Sequence, residues 1–504
     1  MDNKIIRASL GVTIIIFAEK LLGFLRDIIQ AYYFGTGSSI DCIVSANLMI
    51  SVFFGWLTTI SIAFTPIYKR KKLSNEGNGY TDSIVTMCFL LSVAALFLCL
   101  LLRRQLIRFA LPGFGDEKRR IAIECISILA FSLLFMGVSQ INNAYLAANG
   151  RYTFSVISNL SINMVQILAL SLSRGESIKT VAWGIVVAYC VQWVVSGFFI
   201  IKTGYRFNPV FPDKEGMKET LAILIPITLT HIVDDICTFF DKLFASFLND
   251  GAISSLAYAN SLRKVIFSFV TILITTIVYP HVAECIADNN ISEAQKKVTD
   301  CMKAILLLLT PLIVCCILCS DTIVSIIFQH GAFNKDSTAL TSKSFFAYLI
   351  GLVPLSINAV MTKYFYARKQ AKYCTILSII TVSINILLDW ILVKPLGHMG
   401  LAFGTSFSVS VTMPIYLILF FRQKDVDNSG GKELLKIFVS LFLSSAVLVL
   451  LYQGFSTVIS RFGFFVSVMM VGLLFAAGFS VMTISAVLMR EKVITGFVSA
   501  LKKK

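Results

Sequence analysis

An all-α polytopic membrane protein is the fold class this sequence predicts, and three observations predict it. Of 504 residues, 57% are hydrophobic and only 14% are charged, against roughly a quarter charged in soluble globular proteins. Mean hydropathy is strongly positive, +0.81. The apolar residues also gather in runs near the ~20 residues that cross a bilayer as a helix. Together these exclude a soluble enzyme, a secreted disulfide scaffold and a disordered chain.

Runs of spanning length fall at 8–34, 42–67, 82–102, 121–146, 153–172, 178–201, 219–248, 256–282, 303–328, 344–366, 373–393, 399–421, 434–453 and 464–489. They predict about fourteen transmembrane helices. The intervening loops are short and leave no room for a soluble catalytic domain, so the chain is not expected to be an enzyme. Pro66, Pro112, Pro226 and Pro395 read as helix boundaries, and Pro280, Pro311, Pro354 and Pro414 as kinks. The first run carries charges and lacks a small-residue cleavage site, so it reads as a retained helix rather than a signal peptide.

The formal net charge of +16 could point to nucleic acid. The basic residues instead collect in short loops, as in Lys69-Arg70-Lys71-Lys72, Arg368-Lys369 and Lys502-Lys503-Lys504. That pattern follows the positive-inside rule and suits a surface of anionic lipid, with no nucleic-acid partner. Loops on the side of both termini hold about twice as many Lys and Arg as the opposite loops, which predicts cytoplasmic termini. The 103–120 segment breaks the trend, because it should face outward yet carries Arg103, Arg104, Arg108, Lys118, Arg119 and Arg120. The 12 cysteines lie mostly inside apolar runs and read as small buried hydrophobes.

Short repeats recur at an offset of six helices. Ala31-Tyr-Tyr-Phe-Gly-Thr-Gly precedes Ala46-Asn47, as Ala245-Ser-Phe-Leu-Asn-Asp-Gly precedes Ala259-Asn260, and Ser161-Ile162-Asn163 returns as Ser383-Ile384-Asn385. Six helices is an even number, so the copies are parallel and related by an axis along the membrane normal. The expected organisation is a six-helix lobe over 1–210, a second over 211–425, and two further helices with a basic tail over 426–504. Two such lobes imply a central cavity and a rocking transport motion.

Charges inside apolar runs mark candidate sites, since each costs roughly 2.5–3.5 kcal/mol at mid-membrane. In the first helix Glu19, Lys20, Arg26 and Asp27 cover about a third of the circumference at 100° per residue. They form either a cavity wall or a self-neutralising stack of Glu19 over Arg26 and Lys20 over Asp27. Arg26 is the best anion ligand, because a guanidinium stays charged and binds phosphate through two bonds. The seventh helix holds Asp234, Asp235, Asp241 and Lys242, and the eighth Arg263 and Lys264. In the eleventh, Asn385 and Asp389 are four apart and share a face, with Thr405 and Ser406 on the twelfth. Carboxylate, amide and hydroxyl oxygens from several helices suit a hard cation, so these residues form a Na⁺ or H⁺ coupling site or a hydrogen-bonded helix contact. No Walker loop, metal-ligand histidine spacing or Ser/His/Asp constellation stands out; Gly430-Gly431-Lys432-Glu433 lacks the phosphate-loop spacing.

At Leu22-Gly-Phe-Leu-Arg-Asp-Ile-Ile-Gln-Ala-Tyr-Tyr-Phe-Gly-Thr-Gly, followed by Asp41, the chain resembles the MurJ/MviN family. These are lipid II flippases of the multidrug/oligosaccharidyl-lipid/polysaccharide exporter superfamily. Leu111-Pro-Gly-Phe, Phe244-Ala-Ser-Phe-Leu, Phe328-Gln-His-Gly-Ala-Phe, Tyr366-Ala-Arg-Lys-Gln and Pro395-Leu-Gly-His-Met-Gly-Leu-Ala-Phe-Gly-Thr-Ser continue the match in order. The resemblance implies fourteen helices, alternating access and export of undecaprenyl-pyrophosphate-linked saccharide across a bacterial inner membrane. It implies substrate contacts at Arg26, Lys20, Asp27, Asp41 and Arg263. It also implies Na⁺ ligands at Asp241, Asn385, Asp389 and Thr405, with the Leu401 carbonyl as a fifth. Where the family has Ser-Arg on helix one, a basic pair on helix two and Asp-Arg on helix eight, this chain has Glu19-Lys20, Phe54-Gly55 and Asn260-Ser261. A thinner cationic cavity is therefore expected.

The leading expectation is a monomeric lipid II flippase without a cofactor beyond the coupling ion. Exporters of capsular, exopolysaccharide or O-antigen repeat units use the same physics and stand second. A cation-coupled drug exporter stands third, since a fold alone does not fix function. A membrane glycosyltransferase would need catalytic outer loops longer than these.

Overall fold

The apolar runs fold as helices, and no strand occurs among the described residues. The structure, a computed structural model, describes residues 3–210, 214–272, 274, 278–422, 445–454 and 464–488. In chain order the helices are α1 (Asn3–Phe34), α2 (Ser38–Phe54), α3 (Trp56–Leu73), α4 (Gly77–Ala110), α5 (Asp116–Leu129), α6 (Leu133–Ala148), α7 (Tyr152–Ser173), α8 (Ile178–Ile201), α9 (Lys214–Ala245) and α10 (Ala252–Ile272). They continue as α11 (Tyr279–Ala287), α12 (Ile291–Leu318), α13 (Ser320–Phe328), α14 (Lys335–Ile350), α15 (Leu352–Ala367), α16 (Ala371–Leu396), α17 (His398–Phe421), α18 (Ser445–Gly454) and α19 (Phe464–Leu488).

Among the described residues, seven helical segments, with Asp116–Ala148 counted as one, are long and apolar enough to cross a membrane, and two bent pairs bring the number to nine. The helices α1, α9, α10 and α19, of 21 to 32 residues, reach the ~30 Å of a hydrocarbon core at 1.5 Å per residue. The chain is an all-α polytopic membrane protein. Large apolar side chains such as Phe97, Leu101, Leu168 and Trp390 stay exposed on helix exteriors, where lipid replaces water as the surrounding medium.

Of the four prolines expected at helix boundaries, Pro112 lies between α4 and α5, whereas the other three do not mark boundaries. Pro66 and Pro395 lie inside α3 and α16, and Pro226 lies inside α9. The bends come at glycines: α2 and α3 meet at 44° around Gly55, and α14 and α15 at 46° around Gly351. At the first, the hydroxyls of Thr58 and Thr59 donate to the carbonyls of Gly55 and Trp56 (2.7 and 2.8 Å). Such side-chain bonds satisfy backbone groups that no water can reach in lipid. At the second, a Cβ on Gly351 would meet Ser406 Cα of α17 at 2.6 Å, so only glycine allows this approach.

The described chain packs as two compact units. The first comprises Met1–Tyr258 with His330–Ser337, and the second Ala259–Gln329 with Thr338–Lys504. Within the first, Phe64 stacks on Tyr68 and Tyr80, and Tyr145 packs against Tyr68 and Tyr205. Small residues let helices approach: Gly184 of α8 sits against Ala169 of α7, and Gly137 of α6 against Cys88 of α4. Within the second, Tyr364, Phe365, Tyr416 and Phe420 form an aromatic core. There Cys315 and Cys319 also pack with Leu448, Val471 and Leu474, which ties α18 and α19 to α12 and the residue after it. All 12 cysteines are free thiols.

Candidate substrate and ion sites

The charged stripe of α1 faces α7. Its four residues pair with their neighbours along the chain: Lys20 Nζ lies 3.7 Å from Glu19 Oε1, and Arg26 Nη2 lies 2.7 Å from Asp27 Oδ1. The alternative stack of Glu19 over Arg26 does not form, because seven residues place the two about 10 Å apart along the axis. Arg26 Nη1 also donates to Gln166 Oε1 of α7 at 3.1 Å. One turn earlier on α7, Asn163 packs against Gly23 and donates weakly to the Glu19 carbonyl (3.5 Å). The guanidinium is thus clamped by a carboxylate and an amide, yet its side chain keeps 31% of its surface open, and that of Lys20 keeps 57%. A clamped, partly open cation can add an anionic ligand without rotamer cost.

Asp41, expected among the substrate contacts, is 1% exposed. Its two oxygens accept the backbone N–H groups of Gly251 and Ser254 at the start of α10, each at 2.8 Å. This is a carboxylate at a helix N-terminus, where unpaired N–H groups favour negative charge. Lys118 bridges it to Asp250, 3.8 Å from Asp41 Oδ2 and in direct contact with Asp250 Oδ1. In this conformation Asp41 links the first turn of α2 to the starts of α10 and α5 rather than standing as an open ligand. Gly35 and Gly331, both at positive φ, bring two more loops to the same end. Gly35 lies against the Ala332 carbonyl, its own carbonyl accepts Tyr258 Oη at 3.1 Å, and Ala332 N donates to Tyr32 O at 2.8 Å. Phe333 closes the contact edge-on to Tyr258.

The basic 103–120 segment belongs to this end, and its charges are largely taken up locally. Arg119 binds Asp116 and the Phe114 carbonyl (2.9 and 2.7 Å), Arg120 faces Glu124 at 3.5 Å, and Arg103 reaches Ser127 at 3.4 Å. Asp250, Ser254 and Tyr258 carry no site signature of their own in the sequence, and Lys118 stands out only through its segment's charge. The signal for them was the odd sign of this loop and the Asn-Asp-Gly repeat copy.

The second unit holds most of the expected ion ligands. Asn385 and Asp389 of α16 are 1% and 0% exposed, with Asn385 Nδ2 3.4 Å from Asp389 Oδ1. Asp389 Oδ1 packs on the bare Cα of Gly404 in α17. Next to that glycine, Thr405 donates to the Leu401 carbonyl at 3.2 Å. A buried carboxylate, an amide oxygen, a hydroxyl and a backbone carbonyl therefore lie along one α16–α17 contact. Asn385 Oδ1 is buried with no hydrogen-bond partner among the described residues, which fits an oxygen that coordinates a cation. Asp241 sits partly buried on α9, in the first unit. Arg263 of α10, in the second unit, donates from Nε to Asn260 Oδ1 at 3.0 Å, and its guanidinium lies 4.7 Å from the Tyr348 ring centre. The side chain of Asp234 and residues 430–433 and 502–504 lie outside the described residues.

Comparison with known proteins agrees with this architecture. The chain is 24% identical over 459 residues to a probable lipid II flippase MurJ of Rickettsia prowazekii (strain Madrid E), covering 88% of this chain and 90% of that one. It is 23% identical over 458 residues to the probable lipid II flippase MurJ of Thermotoga maritima, covering 89% and 91%. Among solved structures, a lipid II flippase MurJ in an inward closed conformation superposes with a TM-score of 0.78 at 22% identity, over 95% of this chain and 99% of that one. An inward-facing multidrug resistance MATE family transporter of the MOP superfamily gives 0.66 at 14% identity, over 80% and 94%. The family model described as lipid II flippase MurJ matches residues 30–490, and the chain belongs to that family.

Proposed function

We propose that this protein moves lipid II, the undecaprenyl-pyrophosphate-linked peptidoglycan precursor, from the inner to the outer leaflet of a bacterial cytoplasmic membrane by alternating access. The observation that carries the reading is Arg26, a guanidinium within a spanning helix, held by Asp27 and Gln166 and still partly open. Its place is about 12 Å from the end of α1, a depth at which a lone cation is costly unless an anion or water meets it. Arg26 and Lys20 supply positive charge for the pyrophosphate, Arg263 adds a third cation, and Asp27 orients Arg26 rather than touching substrate. The chain works as a monomer among anionic lipids, with both termini in the cytoplasm and lobes divided near residues 210 and 425.

Na⁺ is the coupling ion in this reading. Asn385, Asp389, Thr405 and the Leu401 carbonyl supply four oxygens, and Asp241 the fifth. The ion would neutralise carboxylates in a low-dielectric interior. Coupling requires that Asp241 join the other four in one state of the cycle and leave them in another, because a ligand shifts an equilibrium only by its differential affinity. The test is genetic. A bacterial strain depleted of its own lipid II flippase should survive on this gene and should not survive on the Arg26→Ala variant at equal membrane abundance. Failure of the well-expressed wild-type gene to rescue growth would count against lipid II as the cargo.

A further inference from the structure

The 103–120 segment carries positive charge at the end of the third span, against the trend of the other loops, and the protein uses only part of it. Of its six cations, Arg103, Lys118, Arg119 and Arg120 have the protein partners described above. Arg104 and Arg108 are exposed and have no hydrogen-bond or ion-pair partner among the described residues. They are four apart on α4, so they stand side by side with Cβ atoms about 6 Å apart. Leu90, Phe97 and Leu101 continue the same face at helical spacing, and 47%, 68% and 75% of their surface is open. The stripe from Leu90 to Arg108 runs about 27 Å along the helix. The apolar run of α4 ends at Leu102. The two arginines therefore stand about 3 and 9 Å past it, at the depth of lipid headgroups.

We propose that this stripe is a peripheral docking site for a polyprenyl pyrophosphate, separate from the cations of α1. The isoprenoid chain lies along Leu90, Phe97 and Leu101, and the pyrophosphate sits between Arg104 and Arg108. The choice of lipid rests on the lipid II reading, and the site is where delivered cargo meets the receiving leaflet. Two phosphoryl groups joined by one oxygen match two guanidiniums at this spacing, each able to make two charge-assisted bonds. An ordinary phosphodiester headgroup brings one charge and occupies one arginine. A bare polyprenol fills the apolar stripe and leaves both cations to water. The saccharide extends past Arg108 into water, so the site reads the carrier rather than the sugar.

Photo-crosslinking tests it, with a radiolabelled undecaprenyl pyrophosphate that bears a diazirine on its first isoprene unit. The probe is added to the purified full-length protein in phosphatidylcholine nanodiscs, and labelled peptides are identified by mass spectrometry. Saturable label should appear on α4 within residues 97–108. Arg104→Ala combined with Arg108→Ala should lower that label roughly tenfold, the scale of two charge contacts at a membrane surface. Both side chains are exposed and unpartnered, so the fold does not depend on them. The matching diazirine polyprenol should leave α4 nearly unlabelled. Equal labelling by the polyprenol, or unchanged label in the doubly substituted protein, would overturn the proposal. So would displacement by phosphatidylglycerol or cardiolipin as readily as by unlabelled undecaprenyl pyrophosphate, which would mark a general anionic-lipid surface. The label is read without translocation, so the two readings fail separately. A chain that rescues growth without α4 label loses only this site, and a chain with α4 label that does not rescue keeps the site and loses the cargo assignment.

Discussion

Ser161-Ile162-Asn163 on α7 and Ser383-Ile384-Asn385 on α16 repeat one short motif, and the structure sets them in different surroundings. Asn163 is half-buried and looks onto the charged stripe of α1, near a partly open Arg26. Asn385 is fully buried and looks onto Asp389, a carboxylate with no exposed surface. The sign of the charge differs, and so does its access. A cation that receives a bulky lipid-linked anion needs an open side. A carboxylate that receives a small bare ion needs oxygen neighbours and exclusion of water. The contrast teaches that one sequence motif can keep its packing position while its polar surroundings diverge, beside a partly open cation in one copy and a buried carboxylate in the other, as the substrate and ion roles proposed above require.

The largest effect is expected at the open member of the pair. Arg26→Ala should lower lipid II translocation about a hundredfold, the scale of losing a clamped charge partner in a desolvated site. Arg26→Lys should keep part of the activity, because a point charge replaces a two-bond fork. Equal loss in both variants would show that packing rather than phosphate geometry is at stake. Next comes the buried member. Asp389→Asn keeps the shape and removes the charge, and it should lower the rate about tenfold while abolishing its Na⁺ dependence. An unchanged rate and Na⁺ response would reduce Asn385–Asp389 to a helix contact.

Asp41 offers a third case, a buried carboxylate whose partners are protein. Asp41→Ala strands two N–H groups and Lys118, so it should cost about 3–5 kcal/mol of stability, read as a fall in melting temperature of the purified protein. Lys118→Ala leaves both backbone bonds to Asp41 in place and should cost only about 1 kcal/mol. Similar losses for both would mean that the ion pair, not the helix terminus, holds the loops. The smallest effect concerns substrate affinity. Ser261, half-buried two residues before Arg263, stands where the sequence resemblance implies a family arginine, and Ser261→Arg should tighten lipid II binding about threefold. Phe54 is buried, so a cation there should impair folding instead of helping.

Much of this was legible in the chain. Runs of apolar residues gave the helices and fold class, because in lipid a helix is the way to satisfy every backbone group. The charges of α1 and the Asn385–Asp389 pair stood out because charge inside such runs is rare. What periodicity could not show was the break at Gly351, since it depends on how closely Ser406 of another helix approaches. Nor could it show the burial of Asp41, whose partners at Gly251 and Ser254 lie some 210 residues away. The pairing within α1 is likewise set locally: Lys20 meets Glu19 and Arg26 meets Asp27, adjacent in the chain, although angular position alone allows a two-turn stack. Side-chain reach, rather than angular position alone, decides such contacts.

The most direct measurement places lipid II with a fluorescent headgroup in proteoliposomes and follows its arrival in the opposite leaflet with a membrane-impermeant quencher. Wild-type protein should translocate it well above the level of protein-free vesicles. Arg26→Ala should stay at background, and Arg26→Lys should reach an intermediate rate. Wild-type protein at background, or Arg26→Ala as fast as wild type, would contradict the claim that this chain moves lipid II through a cation on its first helix.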